Sequence, residues 1–232
     1  MKNYTKLFTV FIIFLSATAW ADESLCIISN DAIKQASEIR GLKIKKQTPC
    51  FLHNKAEVQA YLLEAISSKV PPARMKAESQ VYKALGLIAE NFDYEKGLLK
   101  LYLDQLGGYY DPEKDHFVMA AWIPAIMQVP VAVHELTHAL QDQHYDLNEF
   151  TNIKKYSSDE LLARSALIEG DATAVMLDYT RKLAGLEPIS KDKDVTAIMM
   201  QNLLGASMFA GLKEVPESLK LTLLFPYTSG LR

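Results

Sequence analysis

The sequence predicts an α+β protein that is mostly helical and carries one small sheet. Apolar residues recur with the helical period of about 3.6 residues over most of the chain. Two capping-box patterns, Asn54 with Glu57 and Ser157 with Glu160, mark the starts of helices. Residues 109–122 change period: aromatic and β-branched residues stand on both sides of a proline-containing turn, which is typical of a hairpin.

The N-terminal segment, residues 1–21, is predicted to be a secretory signal peptide. Lys2 and Lys6 precede an apolar run that ends at Ala21 in a small-residue cleavage pattern. The run is short for a membrane span, which takes roughly 20 residues; an uncleaved N-terminal anchor is the alternative. We therefore expect an exported protein, periplasmic or secreted, without stable membrane insertion after cleavage.

Residues 22–232 are expected to form a single domain. Removal of residues 1–21 changes the formal net charge from −3 to −5, because they carry two lysines and no acids. The mild acidity and the scattered lysines argue against nucleic acid as a partner. The chain ends at "FPYTSGLR" without a polar tail, which is compatible with a piece of a longer protein.

Both cysteines, Cys26 and Cys50, lie in the first part of the mature chain. Export would place them in an oxidising compartment, where a pair tends to form a disulfide. No other cysteine competes as a partner. We therefore expect a Cys26–Cys50 disulfide rather than two unpaired buried thiols.

The elements follow in chain order from local patterns. "GLKIKK", residues 41–46, alternates apolar and basic residues and predicts a strand. A helix is expected to start near residue 55 and to be broken by "VPPARM". Further helices are predicted over residues 78–92, 94–106 (stopped by Gly107 and Gly108), 130–144 (with Pro130 in the first turn), 158–183 and 195–212.

The stretch "VPVAVHELTHALQDQHYDL", residues 129–147, carries the candidate chemistry. Residues four apart project from one face of a helix, so His134 and His138 can bind one metal ion. Glu135 lies one position further round and can act as a general base towards a water molecule. The apolar flanks favour a buried helix over the alternative, a surface helix with two solvated histidines.

A catalytic zinc site generally has three protein ligands, and Glu169 is the candidate for the third. It lies within the apolar helical segment "ALIEGDATAV", where a carboxylate needs a cation. Gly170 permits close approach of another backbone or side chain. Asp171 is the competing candidate, but it points to the other side of the helix; the alternative for Glu169 is an ion pair with Arg164.

"HELTH" followed by a downstream helical "EGDA" resembles the gluzincin branch of the zinc metallopeptidases. The E-G-x-A form is similar to the aminopeptidase-like gluzincins. "GYYDP…HELTHALQDQH…EGDAT" as a whole is similar to secreted bacterial proteins with predicted zinc-protease character. The resemblance covers roughly residues 107–180. It implies a zincin-like fold, Zn²⁺ as the cofactor, and a peptide or protein as the substrate.

The resemblance also implies roles for single residues. His134, His138 and Glu169 would be the metal ligands, and Glu135 would be the general base. Two features depart from the family. The gap between His138 and Glu169 holds 30 residues and is longer than in the aminopeptidases, and Thr173 stands where many gluzincins have an aspartate.

The partners of these residues are less clearly indicated. Asp142 and Asp171 are candidates for the carboxylate that orients a ligand histidine. An oxyanion stabiliser is expected as well, and Tyr227, His144 and His116 are the candidates. In the family's fold an edge strand holds the substrate backbone, and the strand "HFVMAAW" is the natural counterpart.

Two rival functions remain at the level of the sequence. Glu135 and His138 form half of a di-iron carboxylate motif, but the other Glu-x-x-His, Glu113 to His116, lies in a proline-containing turn, which argues against an oxidoreductase. The second rival is an exported module that binds zinc without catalysis. A closed structural site would need a fourth ligand, for which His144 is the nearby histidine.

Overall fold

The computed structural model describes residues 19–192, 195, 197–198 and 215–231, and it confirms a mostly helical α+β fold. The predicted signal peptide lies mostly outside the described residues, as does nearly all of the predicted helix over residues 195–212. The described elements are the helices α1 (Ala19–Arg40), α2 (Lys55–Lys69), α3 (Pro72–Ala84), α4 (Tyr94–Gln105), α5 (Ala125–Tyr145), α6 (Leu147–Phe150), α7 (Ser158–Leu183) and α8 (Glu217–Ser229), a 3₁₀ turn (Ile189–Lys191), and the strands β1 (Cys50–His53), β2 (Gly108–Asp111) and β3 (His116–Ala120).

The three strands form one mixed sheet in the order β1-β3-β2. Strands β2 and β3 are the predicted hairpin, antiparallel, with Tyr110 opposite Phe117. Strand β1 pairs with β3 in parallel. Because β3 is the central strand, the expectation that "HFVMAAW" provides an open edge for a substrate backbone is wrong.

The predicted strand over residues 41–46 is also wrong, because its backbone groups bond to a helix instead of a strand. The N–H groups of Lys45 and Lys46 donate to Oε1 of Gln143 on α5, at 2.8 and 3.2 Å. Nε2 of Gln143 donates to the Lys46 carbonyl at 3.1 Å. Alternation of apolar and basic residues here reflects a chain that runs over the surface of α5.

The helices that begin at a capping box start where predicted. Two of the helices that were predicted from apolar periodicity start several residues earlier than expected. Both capping boxes form, at Asn54 for α2 and at Ser157 for α7. The predicted helix over residues 78–92 instead runs from Pro72 to Ala84 and is followed by Gly86 in the left-handed conformation. Helix α5 starts at Ala125, so Pro130 lies inside it and not in its first turn.

Helix α5 is the centre of the molecule. Nine of the ten residues from Ala132 to Gln141 are buried, and they include polar as well as apolar side chains. Its main core cluster joins α1, α7 and one face of the sheet. The other sheet face packs on α2 through Val58 and Val118, and α3, α4 and α8 share a separate cluster around Leu101. The histidines of α5 therefore lie in the interior.

Helix α1 was not foreseen in the sequence. Ala32 and Ala36 are buried against α5 in the main cluster, where small side chains allow close packing. The predicted disulfide is confirmed: Cys26 in α1 and Cys50 in β1 are joined, with an S–S distance of 2.03 Å. Among the helices that the structure describes, none is long and apolar enough to span a bilayer.

Candidate metal centre

Three side chains converge at the contact between α5 and α7. The Nε2 atoms of His134 and His138 lie 3.2 Å apart, and Oε2 of Glu169 lies 3.1 Å from the first and 3.3 Å from the second. The two imidazole planes are nearly perpendicular, at 89°. Among the described residues these three form the group that could hold a metal ion.

The shape of this triangle fits a metal bound by three protein atoms. With bonds of about 2.0–2.1 Å, tetrahedral zinc holds its ligand atoms about 3.3–3.4 Å apart. The three observed separations, 3.1 to 3.3 Å, lie close to that value. Two imidazole nitrogens and a carboxylate oxygen are a donor set typical of open, catalytic zinc sites.

The electrostatics of the three side chains are strongly coupled. Burial alone would lower the pKa of His138, but the Glu169 carboxylate outweighs it and raises the pKa to about 9. Burial alone would raise the pKa of Glu169. The charge of His138 and hydrogen bonds from both histidines outweigh burial, and they hold this pKa well below its ordinary range. The pocket is therefore built to hold a positive charge between the rings and the carboxylate.

Helix α7 aims Glu169 at the histidines and its neighbours elsewhere. Arg164, the alternative partner of Glu169, places its guanidinium 3.6 Å from the ring centroid of Tyr156 and bonds to the Phe150 carbonyl. Asp171 points away from the three donors, as its position on the helix requires. It accepts a hydrogen bond from Gln141 and forms an ion pair with Arg40.

Gln141 was not identified from the sequence, although it lies one turn after His138 on the same face of α5. Its Oε1 lies 2.8 Å from Nδ1 of His138, and the whole residue is buried. Asp142, a candidate for this role, instead accepts from the Tyr110 hydroxyl and from the Leu147 N–H. The group that contacts Nδ1 of His138 is thus an amide, and Asp171 accepts a hydrogen bond from that amide.

Glu135 lies beside the three donors without joining them. Its Oε2 accepts a hydrogen bond of 3.0 Å from the backbone N–H of Tyr110 in β2. Burial raises its pKa, and the nearby histidines oppose that rise. All four residues of β2 are buried. The sheet edge nearest the site therefore holds Glu135 in place and leaves little room for a further strand.

Helix α8 brings Tyr227 to the site. Its ring stacks on that of His134, with centroids 5.9 Å apart and planes 28° apart. The charge of Glu169, together with burial, raises the pKa of the Tyr227 hydroxyl well above its ordinary value. On α4, burial and the same carboxylate raise the pKa of Tyr102, a residue that sequence reasoning missed because an isolated tyrosine in a helical pattern carries no signal of its own.

The approach of α8 depends on two glycines. A Cβ atom on Gly170 would lie 2.2 Å from the backbone of Gly230, and one on Gly230 would lie 1.9 Å from the Ala166 carbonyl oxygen. The backbones of α7 and the end of α8 are therefore in direct contact. Tyr227 lies one turn before Gly230, and Glu169 directly precedes Gly170. The contact between the two glycines therefore places Tyr227 beside Glu169.

The two remaining oxyanion candidates lie elsewhere. Nε2 of His144 contacts the Lys43 carbonyl at 2.8 Å on the surface. His116 packs edge-on against Phe51 at the start of β3, with ring centroids 5.1 Å apart. Of the three candidates, the structure thus brings only Tyr227 to the cluster of His134, His138 and Glu169. Because Nε2 of His144 is bonded to the Lys43 carbonyl, His144 does not serve as a fourth ligand of a closed site.

The chain matches no protein-family model, no curated protein and no solved structure with which it was compared.

Proposed function

We propose that this protein is an exported, zinc-dependent peptidase that hydrolyses peptide bonds with Glu135 as its general base. The observation that carries the proposal is the convergence of His134, His138 and Glu169 at separations suited to one zinc ion, with Glu135 beside them. The disulfide between Cys26 and Cys50 supports export. The "HELTH" motif and its likeness to the gluzincins support the reaction class.

Zinc, when bound, supplies a Lewis acid that lowers the pKa of water towards about 7 and polarises a carbonyl group. The protein's own part is proton transfer and positioning. Glu135 takes the proton of the attacking water and passes it to the leaving amine. Burial raises its pKa, which makes it a stronger base, and the Tyr110 N–H fixes one carboxylate oxygen so that the other is free to act.

Tyr227 is the oxyanion stabiliser in this proposal. A tyrosine phenol is protonated at neutral pH, and it can donate a hydrogen bond to developing negative charge. Its ring already stacks on His134, so the hydroxyl is held near the metal ligands rather than in solvent.

The main alternative is an exported module that binds zinc without catalysis. A structural zinc site is normally closed by four protein ligands. The group found among the described residues has three, and His144 bonds elsewhere. The di-iron alternative would need a second Glu-x-x-His on a facing helix, whereas Glu113 and His116 lie in the β2–β3 turn and at the start of β3. Three ligands with a base beside them favour the peptidase.

The proposal is tested by Glu135→Gln, which keeps the shape of the side chain and removes the base. Zinc content should stay at about one per chain, because Glu135 is not a ligand. Turnover of a responsive peptide or protein substrate should fall by about 10² or more. Glu38→Gln, on the exposed surface of α1, is the matched control and should leave turnover unchanged.

Equal turnover by the wild type and the Glu135→Gln protein would refute the mechanism. Full zinc occupancy without cleavage of a broad panel of peptides and unfolded proteins by the wild type would favour the binding module. Two iron ions per chain in place of one zinc ion would favour the oxidoreductase.

A further inference from the structure

The side-chain amide of Gln141 can be oriented from its neighbours alone. One end faces the Ile168 carbonyl oxygen and Oδ2 of Asp171, at 3.1 and 2.8 Å. A backbone carbonyl oxygen and an ionised carboxylate can only accept hydrogen bonds, so this end of the amide must be the NH₂ group. The oxygen therefore faces Nδ1 of His138, 2.8 Å away. An oxygen there needs a donor, which requires the proton of His138 to be on Nδ1.

We infer that Gln141 is a positioning residue of the metal centre: it holds the His138 ring with its proton on Nδ1 and its Nε2 lone pair turned towards the ligand cluster. The inference rests on the proposed zinc site and concerns how a ligand is held. An imidazole nitrogen binds a metal only through its lone pair, and the partner of the other nitrogen selects the tautomer. Gln141 makes that selection here.

Gln141 is in turn held by residues from two other helices. Its NH₂ group bonds to α7 through Ile168 and Asp171. Oδ1 of Asp171 lies 2.6 Å from Nε of Arg40, the last residue of α1. The negative charge of Asp171 favours the amide orientation that presents oxygen to His138, and Arg40 keeps that charge in place. Three helices thus contribute to the orientation of one ligand.

Thr173, on α7, takes no part in this network. Thr173 occupies the position where many gluzincins have an aspartate, one turn after Glu169. It is buried, and its hydroxyl has no hydrogen-bond partner among the described residues. The hydrogen bond that orients a ligand ring therefore comes from Gln141 to His138, and not from the position one turn after Glu169.

The direct test uses the zinc-loaded wild-type protein, labelled with ¹⁵N, and long-range ¹H–¹⁵N correlation spectra of its histidines. The expected result is a His138 ring protonated on Nδ1, with a proton that exchanges slowly with solvent because Gln141 and its surroundings are buried. A His138 ring that carries its proton on Nε2, or whose Nδ1 proton exchanges with solvent as fast as the ring N–H of the partly exposed His144, would overturn the inference.

The second test is Gln141→Met, which keeps the length of the side chain and removes the amide. Zinc affinity, measured by competition with a chromophoric chelator, should fall about 10- to 100-fold, the usual cost of losing a group that orients a ligand. The absorption spectrum of the Co²⁺-substituted protein should shift as well, because the geometry around the metal changes. Asp171→Asn should produce a smaller loss in the same direction.

Gln143→Met is the matched control. Gln143 lies on the same helix and its side chain also makes three hydrogen bonds, but they go to Lys45 and Lys46. Its zinc affinity should stay within about threefold of the wild type, as for other surface changes. Equal losses in the Gln141 and Gln143 variants, or no loss in the Gln141 variant, would overturn the inference. A wild type that binds zinc but cleaves nothing would refute the peptidase and leave this inference standing.

Discussion

At the scale of single residues, three histidines on one helix differ in what surrounds them. His134 and His138 are buried beside Glu169, while the partly exposed His144 contacts the Lys43 carbonyl and the Tyr145 ring instead. His134→Ala or His138→Ala should therefore reduce zinc from about one per chain to almost none. Elemental mass spectrometry of the purified proteins measures the zinc content. His144→Ala is the matched control and should keep its zinc. Retention of full zinc by both site variants would show that the metal binds elsewhere.

Comparison of Glu169→Gln with Glu135→Gln distinguishes the loss of a metal ligand from the loss of the general base. A neutral amide is a poorer ligand than a carboxylate, so zinc should dissociate from this variant at chelator concentrations that the wild type withstands. Glu135→Gln should hold zinc as firmly as the wild type. Chelator titration followed by zinc analysis distinguishes the two variants, and equal retention by both would remove Glu169 from the set of ligands.

The raised pKa of His138 predicts a pH dependence of stability for the metal-free protein. Its pKa is about 9, above the ordinary value of 6.5, because Glu169 stabilises the charged ring. The stabilising effect is fully present below about pH 6.5 and is lost as the pH rises through about 9. Thermal unfolding with a chelator present should therefore show Tm falling across this window. The fall should be absent from His138→Ala, and a flat profile in the wild type would contradict the pairing.

At the scale of elements, the contact between α7 and α8 is set by backbone rather than by side chains. In Gly170→Ala the new methyl group would meet the Gly230 backbone, which cannot swing away. Such overpacking typically costs about 1–3 kcal/mol and outweighs the better helix propensity of alanine. Denaturant unfolding should show the loss, and Tyr227 should be displaced, so turnover should fall while zinc is retained.

Gly97→Ala, in α4, is the control for the Gly170 substitution. Its new methyl group would meet only the ring of Phe92, a side chain that can rotate. It should leave stability and turnover much closer to those of the wild type. If Gly170→Ala behaves like Gly97→Ala in both measurements, the contact between Gly170 and Gly230 does not hold Tyr227 in place.

At the scale of the whole molecule, the disulfide anchors α1 to the sheet. Cys26 and Cys50 are separated by 24 positions, and closing a loop of that length stabilises a fold by about 3.5 kcal/mol in the chain-entropy model. Reduction, or a Cys26→Ser/Cys50→Ser protein, should lower the free energy of unfolding by that order. Free-thiol labelling of the denatured, unreduced protein should find no reactive cysteine; two labelled thiols would show that the bridge does not form in the cell.

The fold class and the boundaries of several helices could be predicted because they depend on local patterns. Capping boxes at Asn54 and Ser157 and the turn of the hairpin are decided within a few residues. The strand over residues 41–46 was mispredicted for the opposite reason. Its pattern suits a strand, but the hydrogen bonds of its backbone go to Gln143, nearly a hundred residues away.

By itself the sequence determined the pairing of His134 with His138, the place of Glu135 beside them, and the single disulfide. The first two follow from the pitch of a helix, and the third from having only two cysteines. Only the tertiary structure decided which carboxylates and amides face these side chains. Glu169 meets the histidines because α7 packs on α5, and Tyr227 lies over His134 because α8 packs on α7. Gln141 lies on α5 itself, and its bonds to Ile168 and Asp171 of α7 fix which end of its amide faces His138. Such contacts depend on how distant helix faces fit together, which spacing along the chain does not encode.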